Sequence, residues 1–338
     1  MMQNQLFLIP GIITIISLLS CETTETMDDS MPLEQKIDQL VEPVVIFGNP
    51  SAMIIGITQH GERSYYSYGN AGGDLGPPRQ NSIFEIGSVT KTFTATLLSE
   101  FIMEDLVSLD DPITKYLPET IHPPTFNGQQ IKLKHLVTHT SGLPSEIYNF
   151  NIGGRNVWSE IDNNDLYEFL KNIYQQAYPF DDYTLGNELQ SLGSEYRYSN
   201  VGMALLGHIL ELASGKSFEQ LVDERICTQL NMDETKIYPD LSQEQKDRVP
   251  GAYDMNQYTK AYDRDFGRYV ACGGLLSTID DMLNYMEANM EDSSPLSEAM
   301  QQCHQEIYTS EQISKENGDS DERFHRGVSA IGMAWFLS

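Results

Sequence analysis

Ser88 and Lys91 are the residues of this sequence whose types and spacing first suggest catalysis. They lie three positions apart, and residues with that spacing share one face of a helix, so the lysine ammonium would reach the serine hydroxyl. A serine hydroxyl is a poor nucleophile at neutral pH until a neighbouring base or cation activates it. The spacing therefore predicts an acyl-transfer nucleophile. Taken alone, the pattern is a weak signal, because serine and lysine are common and most such pairs are a capping serine at the surface beside a solvated lysine.

The preceding residue, Gly87, marks a strand-to-helix turn. Ser88 would then lie in the first turn of a helix, where unpaired N–H groups and the helix dipole favour developing negative charge. From Val89 onward the sequence has helical periodicity. Its predicted apolar face comprises Phe93, Leu97, Leu98, Phe101 and Ile102.

Tyr198 and Asn200 form a second candidate pair, directly before a predicted helix that begins at Val201. A tyrosine transfers protons when a nearby cation favours its ionised form. An asparagine offers both a donor and an acceptor to an amide substrate. This pattern is also weak by itself, and it gains weight only together with the Ser88 segment.

Local patterns predict the elements that must position these side chains. Two β-type runs, Ala52 to Gln59 and Arg63 to Tyr68, flank His60-Gly61, where a tight hairpin turn is expected. Further helices are predicted at Leu33 to Phe47, Asn164 to Gln176, Val201 to Leu212, Phe218 to Leu230 and Asp280 to Met290, the last capped by Thr278 or Ser277.

The charge balance excludes some classes of partner. Asp and Glu number 49 against 21 Lys and Arg among the 338 residues, which gives a formal net charge of −28. A field of that sign repels phosphate backbones and anionic lipids, so nucleic-acid binding is not expected. A solvated acidic surface accounts for the excess.

The first 21 residues have the pattern of an export signal. Leu6 to Leu19 is a 14-residue run without charge, too short to span a bilayer comfortably. It ends in Leu-Leu-Ser before Cys21, which resembles a bacterial lipobox, although no Lys or Arg precedes the run. We expect residues 1–21 to be a signal peptide with lipid attached at Cys21, and residues 22–32 to be a flexible tether. The alternatives are simple cleavage without lipid and a buried N-terminal helix.

The other cysteines, Cys227, Cys272 and Cys303, match no zinc signature, and the histidines include no H-E-x-x-H motif, although His135 and His139 lie four positions apart. These cysteines are interpreted as small core residues, with at most one disulfide. Metal chemistry is not indicated.

Five segments in order resemble the class C β-lactamase-like, penicillin-binding serine hydrolases, a family of β-lactamases, D-alanyl-D-alanine carboxypeptidases and esterases. They are Phe84 to Phe93 (FEIGSVTKTF), Leu109 to Pro118 (LDDPITKYLP), Ile131 to Pro144 (IKLKHLVTHTSGLP), Tyr198 to Leu206 (YSNVGMALL) and Gly273 to Met282 (GGLLSTIDDM). Such a series is specific for the family and much less specific for the substrate.

The resemblance implies an α/β (α+β) fold of the β-lactamase/transpeptidase type over residues 31–338. An antiparallel sheet flanked by helices would come from residues 31 to about 115 and 265–338, with a mainly helical region at 116–264. It also implies that Ser88 forms an acyl-enzyme, that Lys91 and Tyr198 assist, and that Asn200 orients the substrate. His139 would support the site.

No cofactor is implied. The expected partner is a small-molecule or peptide substrate: a β-lactam, a D-Ala-D-Ala peptide or a small ester. Membrane contact would occur only through the N-terminal lipid, in the periplasm or cell envelope. The rival interpretation is a catalytically inactive, envelope-anchored penicillin-recognition-like binding protein or a truncated fragment.

One family motif is missing. The family carries Lys or His, then Thr or Ser, then Gly on a late strand whose backbone completes the oxyanion hole, and no such triplet occurs after Gly273. The final run, Ile331 to Leu337, resembles the strand that leads toward it. We expect the sequence to be truncated at its C-terminus, without the last strands and helix, and the triplet to lie beyond codon 338.

Overall fold

A computed structural model describes residues 31–47, 52–59, 61–71, 76–147, 158–172, 184–185, 188–189, 191–250, 265–309, 312 and 330–337. The α-helices are α1 (Leu33–Phe47), α2 (Thr90–Met103), α3 (Leu133–Val137), α4 (Asn163–Asn172), α5 (Asn200–Ser214), α6 (Phe218–Val222), α7 (Thr228–Leu230), α8 (Gln243–Asp247), α9 (Val270–Gly273), α10 (Ile279–Met290) and α11 (Ser297–Cys303).

The strands are short except for the first two. They are β1 (Ala52–Gln59), β2 (Glu62–Gly69), β3 (Phe84–Glu85), β4 (Thr125–Phe126), β5 (Gln129–Gln130), β6 (Thr184–Leu185), β7 (Glu188–Leu189), β8 (Lys236–Ile237), β9 (Leu275–Ser277), β10 (Tyr308–Thr309), β11 (Ala330–Ile331) and β12 (Phe336–Leu337). Their pairing is antiparallel apart from one parallel contact between β4 and β7.

The predicted hairpin is present. Strands β1 and β2 pair antiparallel from Ala52 opposite Gly69 to Gln59 opposite Glu62, and Gly61 has a φ of +81° in the turn. The hairpin lies against α10 through an ion pair between Arg63 and Glu287. Helix α1, also as predicted, packs against β2, where the Tyr68 hydroxyl donates a 2.6 Å hydrogen bond to Asp38.

Helix α2 is buried around nearly its whole circumference rather than on one apolar face. Phe93, Leu97, Leu98 and Phe101 are fully buried, as the periodicity predicts. The threonines between them are buried as well, because their hydroxyls find partners inside the core. Thr94 Oγ1 donates to the carbonyl of Ala271 at 2.7 Å, and Thr92 Oγ1 donates to that of Val89 at 2.8 Å.

Helix α5 lies beside α2 and packs closely on α9. Ten of its residues, from Val201 to Leu210, are buried. The closest approach is at Gly207, where an added β-carbon would overlap the Ala271 side chain. The two helices therefore approach each other more closely than any other residue at position 207 would allow.

Two predictions differ in detail from the structure, and a third is described only in part. The segment Phe218 to Leu230 is helical throughout, but Asp223–Cys227 forms a π-helical turn between α6 and α7. The single strand predicted for Ile331 to Leu337 is two strands, β11 and β12, joined by a tight turn in which Ala334 has a φ of +59°. Only the first part of the helix predicted for Asn164 to Gln176 lies within the described residues, as α4.

A small sheet connects distant parts of the chain beside the Ser88 segment. Strand β9 pairs with β3 on one side and with β8 on the other. Thr278 begins α10 as its cap and accepts a hydrogen bond from the Asp281 N–H, as expected. Cys227, Cys272 and Cys303 are buried and free. Within the described ranges, no helix is long and apolar enough to cross a membrane.

Candidate active site

Ser88 lies between strand β3 and helix α2. Strand β3 is tied to β9, and the Ile86 N–H donates a 3.0 Å hydrogen bond to the Leu275 carbonyl. The chain then turns through a short 3-10 segment, Gly87–Val89, with Gly87 at a φ of +50°. Ser88 is therefore in a tight turn just before the α-helix, and its side chain is exposed.

Lys91 is 3% exposed and extends from the first turn of α2 toward Ser88. Its Nζ donates to Ser88 Oγ at 3.1 Å and to the carbonyl oxygen of Cys272 at 2.7 Å. Burial of an ammonium group without hydrogen-bond partners would destabilise the fold by roughly several kcal/mol. The Cys272 carbonyl in α9 thus holds the Lys91 side chain in the position from which it reaches the serine.

Tyr198 completes the group from the other side. Its hydroxyl donates to Ser88 Oγ at 2.7 Å, and the Lys91 Nζ lies 4.7 Å from the centre of its ring. At that distance the ammonium and the ring attract each other. The structure therefore brings together the three residues predicted for catalysis, with the serine oxygen accepting from both neighbours.

Ser199 fixes the direction from which the Tyr198 side chain approaches Ser88. It is the N-cap of α5, where its Oγ accepts a 2.8 Å hydrogen bond from the Gly202 N–H and donates a 2.6 Å hydrogen bond to the Pro144 carbonyl. The cap satisfies one of the unpaired donors at the start of the helix. It also ties the tyrosine segment to the loop of residues 139–147, here named the support loop.

Asn200 contacts the support loop and not the Ser88 group among the hydrogen bonds of the described residues. Its Nδ2 donates a 2.6 Å hydrogen bond to Glu146 Oε1, and its backbone N–H donates to the Ser145 carbonyl at 3.0 Å. The other carboxylate oxygen of Glu146 is buried and has no hydrogen-bond partner among the described residues. Asn200 therefore lies two positions after Tyr198, and the carboxyl group of Glu146 holds its side-chain amide.

The electrostatics of the site depend on two further groups. Burial raises the pKa of the Glu146 carboxyl, while its hydrogen bond with Asn200 and the charge of Lys91 act in the opposite direction. Burial also raises the pKa of the Cys272 thiol to about 12, against a smaller opposing effect of Lys91. Cys272 is therefore a neutral thiol at physiological pH and does not compete with Ser88 as a nucleophile.

Sequence reasoning missed the Cys272 carbonyl and Glu146. The first is a backbone atom, and only its place before the glycine segment at Gly273 could have indicated it. Glu146 follows Gly142-Leu143-Pro144 by two positions, so a carboxylate just after that signature was the available signal. Cys21, the predicted site of lipid attachment, lies outside the described residues.

The chain belongs to the β-lactamase family, because the family model named "Beta-lactamase" matches residues 34–338. Among curated relatives, the D-alanyl-D-alanine-carboxypeptidase/endopeptidase AmpH of Escherichia coli K12 is 28% identical over 286 residues, 83% of this chain and 68% of the relative. A β-lactamase of Pseudomonas fluorescens is 28% identical over 291 residues, 82% of this chain and 71% of the relative. These relatives are hydrolases by name, and they support hydrolase activity of this family.

Solved structures show the same fold. A β-lactamase/D-alanine carboxypeptidase from Yersinia pestis, in complex with citrate, matches with a TM-score of 0.71 at 23% identity, over 89% of this chain and 80% of that one. A class C β-lactamase from Rhodobacter sphaeroides matches with a TM-score of 0.67 at 22% identity, over 88% and 73%. The predicted β-lactamase/transpeptidase-like fold is thereby confirmed; at these identities the likeness concerns the fold alone.

Proposed function

We propose that this protein is a serine hydrolase in which Ser88 forms an acyl-enzyme with an amide or ester substrate. One observation carries the proposal: Ser88 Oγ accepts hydrogen bonds from the two side chains able to exchange its proton, Tyr198 at 2.7 Å and Lys91 at 3.1 Å. Distances of this size are those required between a nucleophile and its general base.

Acylation begins when the Lys91–Tyr198 pair holds one proton fewer, as a Tyr198 phenolate beside the Lys91 ammonium or a Lys91 amine beside the Tyr198 phenol, and the Ser88 hydroxyl gives its proton to that deprotonated group. The serine oxygen then bonds to the substrate carbonyl carbon, and the carbonyl oxygen takes up the negative charge of a tetrahedral intermediate. The Ser88 backbone N–H lies in the turn before α2, where helix N–H groups favour negative charge. Collapse of the intermediate breaks the bond to the leaving amine or alcohol, which takes the proton from the pair.

Deacylation repeats these steps with water. A water molecule near Tyr198 gives a proton to the Lys91–Tyr198 pair and attacks the acyl carbon. The bond to Ser88 then breaks, and the serine oxygen recovers the proton. Every proton that leaves the serine or the water returns to a product or to the serine, so the cycle needs no cofactor.

The proposed substrates are D-Ala-D-Ala peptides, β-lactams and small esters, since all three present a carbonyl that this chemistry can attack. The names of the relatives, carboxypeptidase and β-lactamase, support the first two classes. Asn200 would orient a substrate amide by exchanging its hydrogen bond with Glu146 for one with the substrate. We place the protein in the cell envelope, anchored by lipid on Cys21, because of its N-terminal sequence.

The experiment is covalent labelling of the full-length protein with a fluorescent penicillin and with a fluorescent phosphonate, followed by mapping of the modified residue. Wild-type protein should be labelled on Ser88, and Ser88→Ala should not be labelled by either probe. Ser293→Ala, which removes an exposed serine between α10 and α11, is the matched control and should be labelled like the wild type. Absence of a Ser88-dependent adduct with both probes, in folded protein, would favour an inactive binding protein and reject the enzyme.

A further inference from the structure

We propose that His139 is a positioning residue that sets the place of Tyr198 over Ser88; this inference rests on the function proposed above. The geometry that carries it is a set of contacts between one histidine and three consecutive residues, 197, 198 and 199. Each contact uses a different part of His139: its carbonyl, its ring face and its ring nitrogen.

The backbone carbonyl of His139 makes the first contact. It accepts a 2.8 Å hydrogen bond from the Arg197 N–H. The ring makes the second, with its centre 4.5 Å from that of the Tyr198 ring and an angle of 33° between the planes. Ring nitrogen Nδ1 makes the third, by accepting a 3.1 Å hydrogen bond from the Ser199 N–H. Tyr198 is thus enclosed between two backbone anchors while its ring is packed from one side.

The protonation of His139 follows from these contacts. Because Nδ1 accepts from a backbone N–H, the neutral ring must carry its proton on Nε2. His139 is 5% exposed, and the edge-on ring of Tyr196 lies 5.7 Å from its ring. This environment holds one tautomer and one orientation of the ring, so the surface that faces Tyr198 is fixed.

The backbone of His139 is strained. This strain supports a positioning role over simple packing. Its φ is +58°, the left-handed region, where a non-glycine residue costs roughly 1–2 kcal/mol. Glycine would adopt this conformation without that cost but would lose both the ring and the Nδ1 acceptor. Strain at such a position is kept where the side chain is needed, and the need here is the contact with residues 198 and 199.

A second histidine in the same segment supplies a matched control. His135 in α3 is 7% exposed, and its Nδ1 accepts a 3.1 Å hydrogen bond from the Lys132 N–H. It is thus as buried as His139, and its ring nitrogen makes the same kind of bond over the same distance. None of its described hydrogen bonds reaches the Tyr198 segment.

The test compares His139→Gly, His139→Asn and His135→Asn with the wild type in full-length protein. The measured quantities are the rate constant for acylation of Ser88 by fluorescent penicillin, the saturation constant for that probe, and the free energy of unfolding. His139→Gly should lower the acylation rate constant about 100-fold, the loss associated with a displacement of about 1 Å, and should change the saturation constant less than about threefold.

His139→Asn should recover at least tenfold of that loss, because asparagine tolerates a left-handed φ and brings back a side-chain acceptor. His135→Asn should lower the stability but leave the acylation rate constant within about twofold of the wild type. Equal acylation rates in His139→Gly and the wild type would overturn the inference, as would an equal slowing in His135→Asn. If neither the penicillin nor the phosphonate labels Ser88 of the wild-type protein, the proposed function falls, and the positioning role falls with it; if only the phosphonate does, the same rate comparison is made with that probe.

Discussion

The two halves of the site are built in different ways. Ser88 and Lys91 stand on one turn of chain that leads into α2, a helix buried along most of its length. Tyr198 and Asn200 stand where an irregular segment enters α5, and the support loop holds that segment through individual hydrogen bonds that join side chains and backbone groups. Helix periodicity and core packing fix the nucleophile half, whereas a few individual contacts fix the tyrosine half. The second half should therefore be easier to displace without unfolding the protein.

The nucleophile half is rigid because its polar groups are satisfied in the core. The Tyr285 hydroxyl of α10 donates to Thr92 Oγ1 at 3.1 Å, and its ring stacks on Phe93 with 4.1 Å between ring centres. Thr96 Oγ1 donates to the carbonyl of Thr92 at 3.0 Å. Each buried hydroxyl with a partner avoids a penalty of about 1–3 kcal/mol.

The largest effect is expected from Lys91→Met, which tests whether the nucleophile half contributes chemistry and not only structure. Methionine has a similar length but no proton to exchange, so the acylation rate should fall roughly 10³-fold, within the range for general acid–base groups. The free energy of unfolding should fall by no more than about 1 kcal/mol, because removal of a buried charge offsets the lost bond to Cys272. Rate measurements and urea unfolding would check both.

Lys115→Met is the control for Lys91→Met, since this exposed lysine pairs with Asp111 at the surface. It should leave the acylation rate unchanged. An inactive Lys91→Met protein that has also lost several kcal/mol of stability would mean that Lys91 acts mainly in folding.

A smaller effect is expected from Ser199→Ala, which weakens the tyrosine half. The substitution removes the cap of α5 and leaves the Pro144 carbonyl without its donor, at a cost of about 2 kcal/mol in the free energy of unfolding. Acylation should slow by about tenfold as well, because Tyr198 is the neighbouring residue and its segment loses the hydrogen bond from Ser199 Oγ to the Pro144 carbonyl.

Ser217→Ala separates these two effects. Ser217 is the N-cap of α6, and its Oγ accepts from the Gln220 N–H as Ser199 Oγ accepts from Gly202. Ser217→Ala should lose about 1 kcal/mol of stability and keep the wild-type acylation rate. If both serine variants slow acylation equally, the distinction between the two halves is wrong.

The smallest effect is expected at the far end of α2, where Glu100 is partly buried and one of its carboxylate oxygens has no hydrogen-bond partner in the part of the chain that the structure describes. Burial raises its pKa from 4.5 to about 7, with Arg225 opposing the shift. Below its unfolded pKa of 4.5, a carboxyl whose pKa is raised by folding costs the protein no stability. As the pH rises from 4.5 through about 7, the unfolded chain loses this proton more readily than the folded one, and the protein becomes less stable. Glu100→Gln should therefore stabilise the protein by about 1–2 kcal/mol at pH 8, with allowance for partial exposure, and hardly at all at pH 4.

Glu104→Gln should have the opposite sign. Glu104 pairs with Arg225, and that hydrogen bond lowers the pKa of its carboxyl. Its removal should cost a few tenths of a kcal/mol at pH 8. Neither variant should change the acylation rate, and unfolding at the two pH values is the measurement. A slower Glu100→Gln enzyme would show that the two ends of α2 are coupled.

Local patterns in the sequence predicted most of the nucleophile half. The spacing of Ser88 and Lys91 is that of a helix turn, and the alternation in the hairpin and the Thr278 cap are also local signals. Such features could be predicted because each depends on residues within a few positions of one another. The order of the five family segments then predicted the fold.

The contacts that hold the tyrosine half and the Lys91 side chain were not predicted, because they are not local. His139 and Ser199 are 60 positions apart, and Lys91 and Cys272 are 181 apart. No periodicity in the sequence indicates that a histidine will adopt a left-handed φ or that a carbonyl will hold a lysine. The burial of the threonines of α2 was likewise unexpected, since threonines on a helix are usually assigned to an exposed face.

The close approach of α5 and α9 at Gly207 links the size of the side chain at position 207 to the geometry of Tyr198 and Lys91. Helix α5 carries Asn200 at its first position and follows Tyr198, while α9 carries the Cys272 carbonyl that holds Lys91. A methyl group gained at 207 would push α5 away from α9 and thereby separate the tyrosine from the lysine. In related chains, either position 207 or position 271 can therefore carry a side chain with a β-carbon, but both positions cannot carry one at the same time.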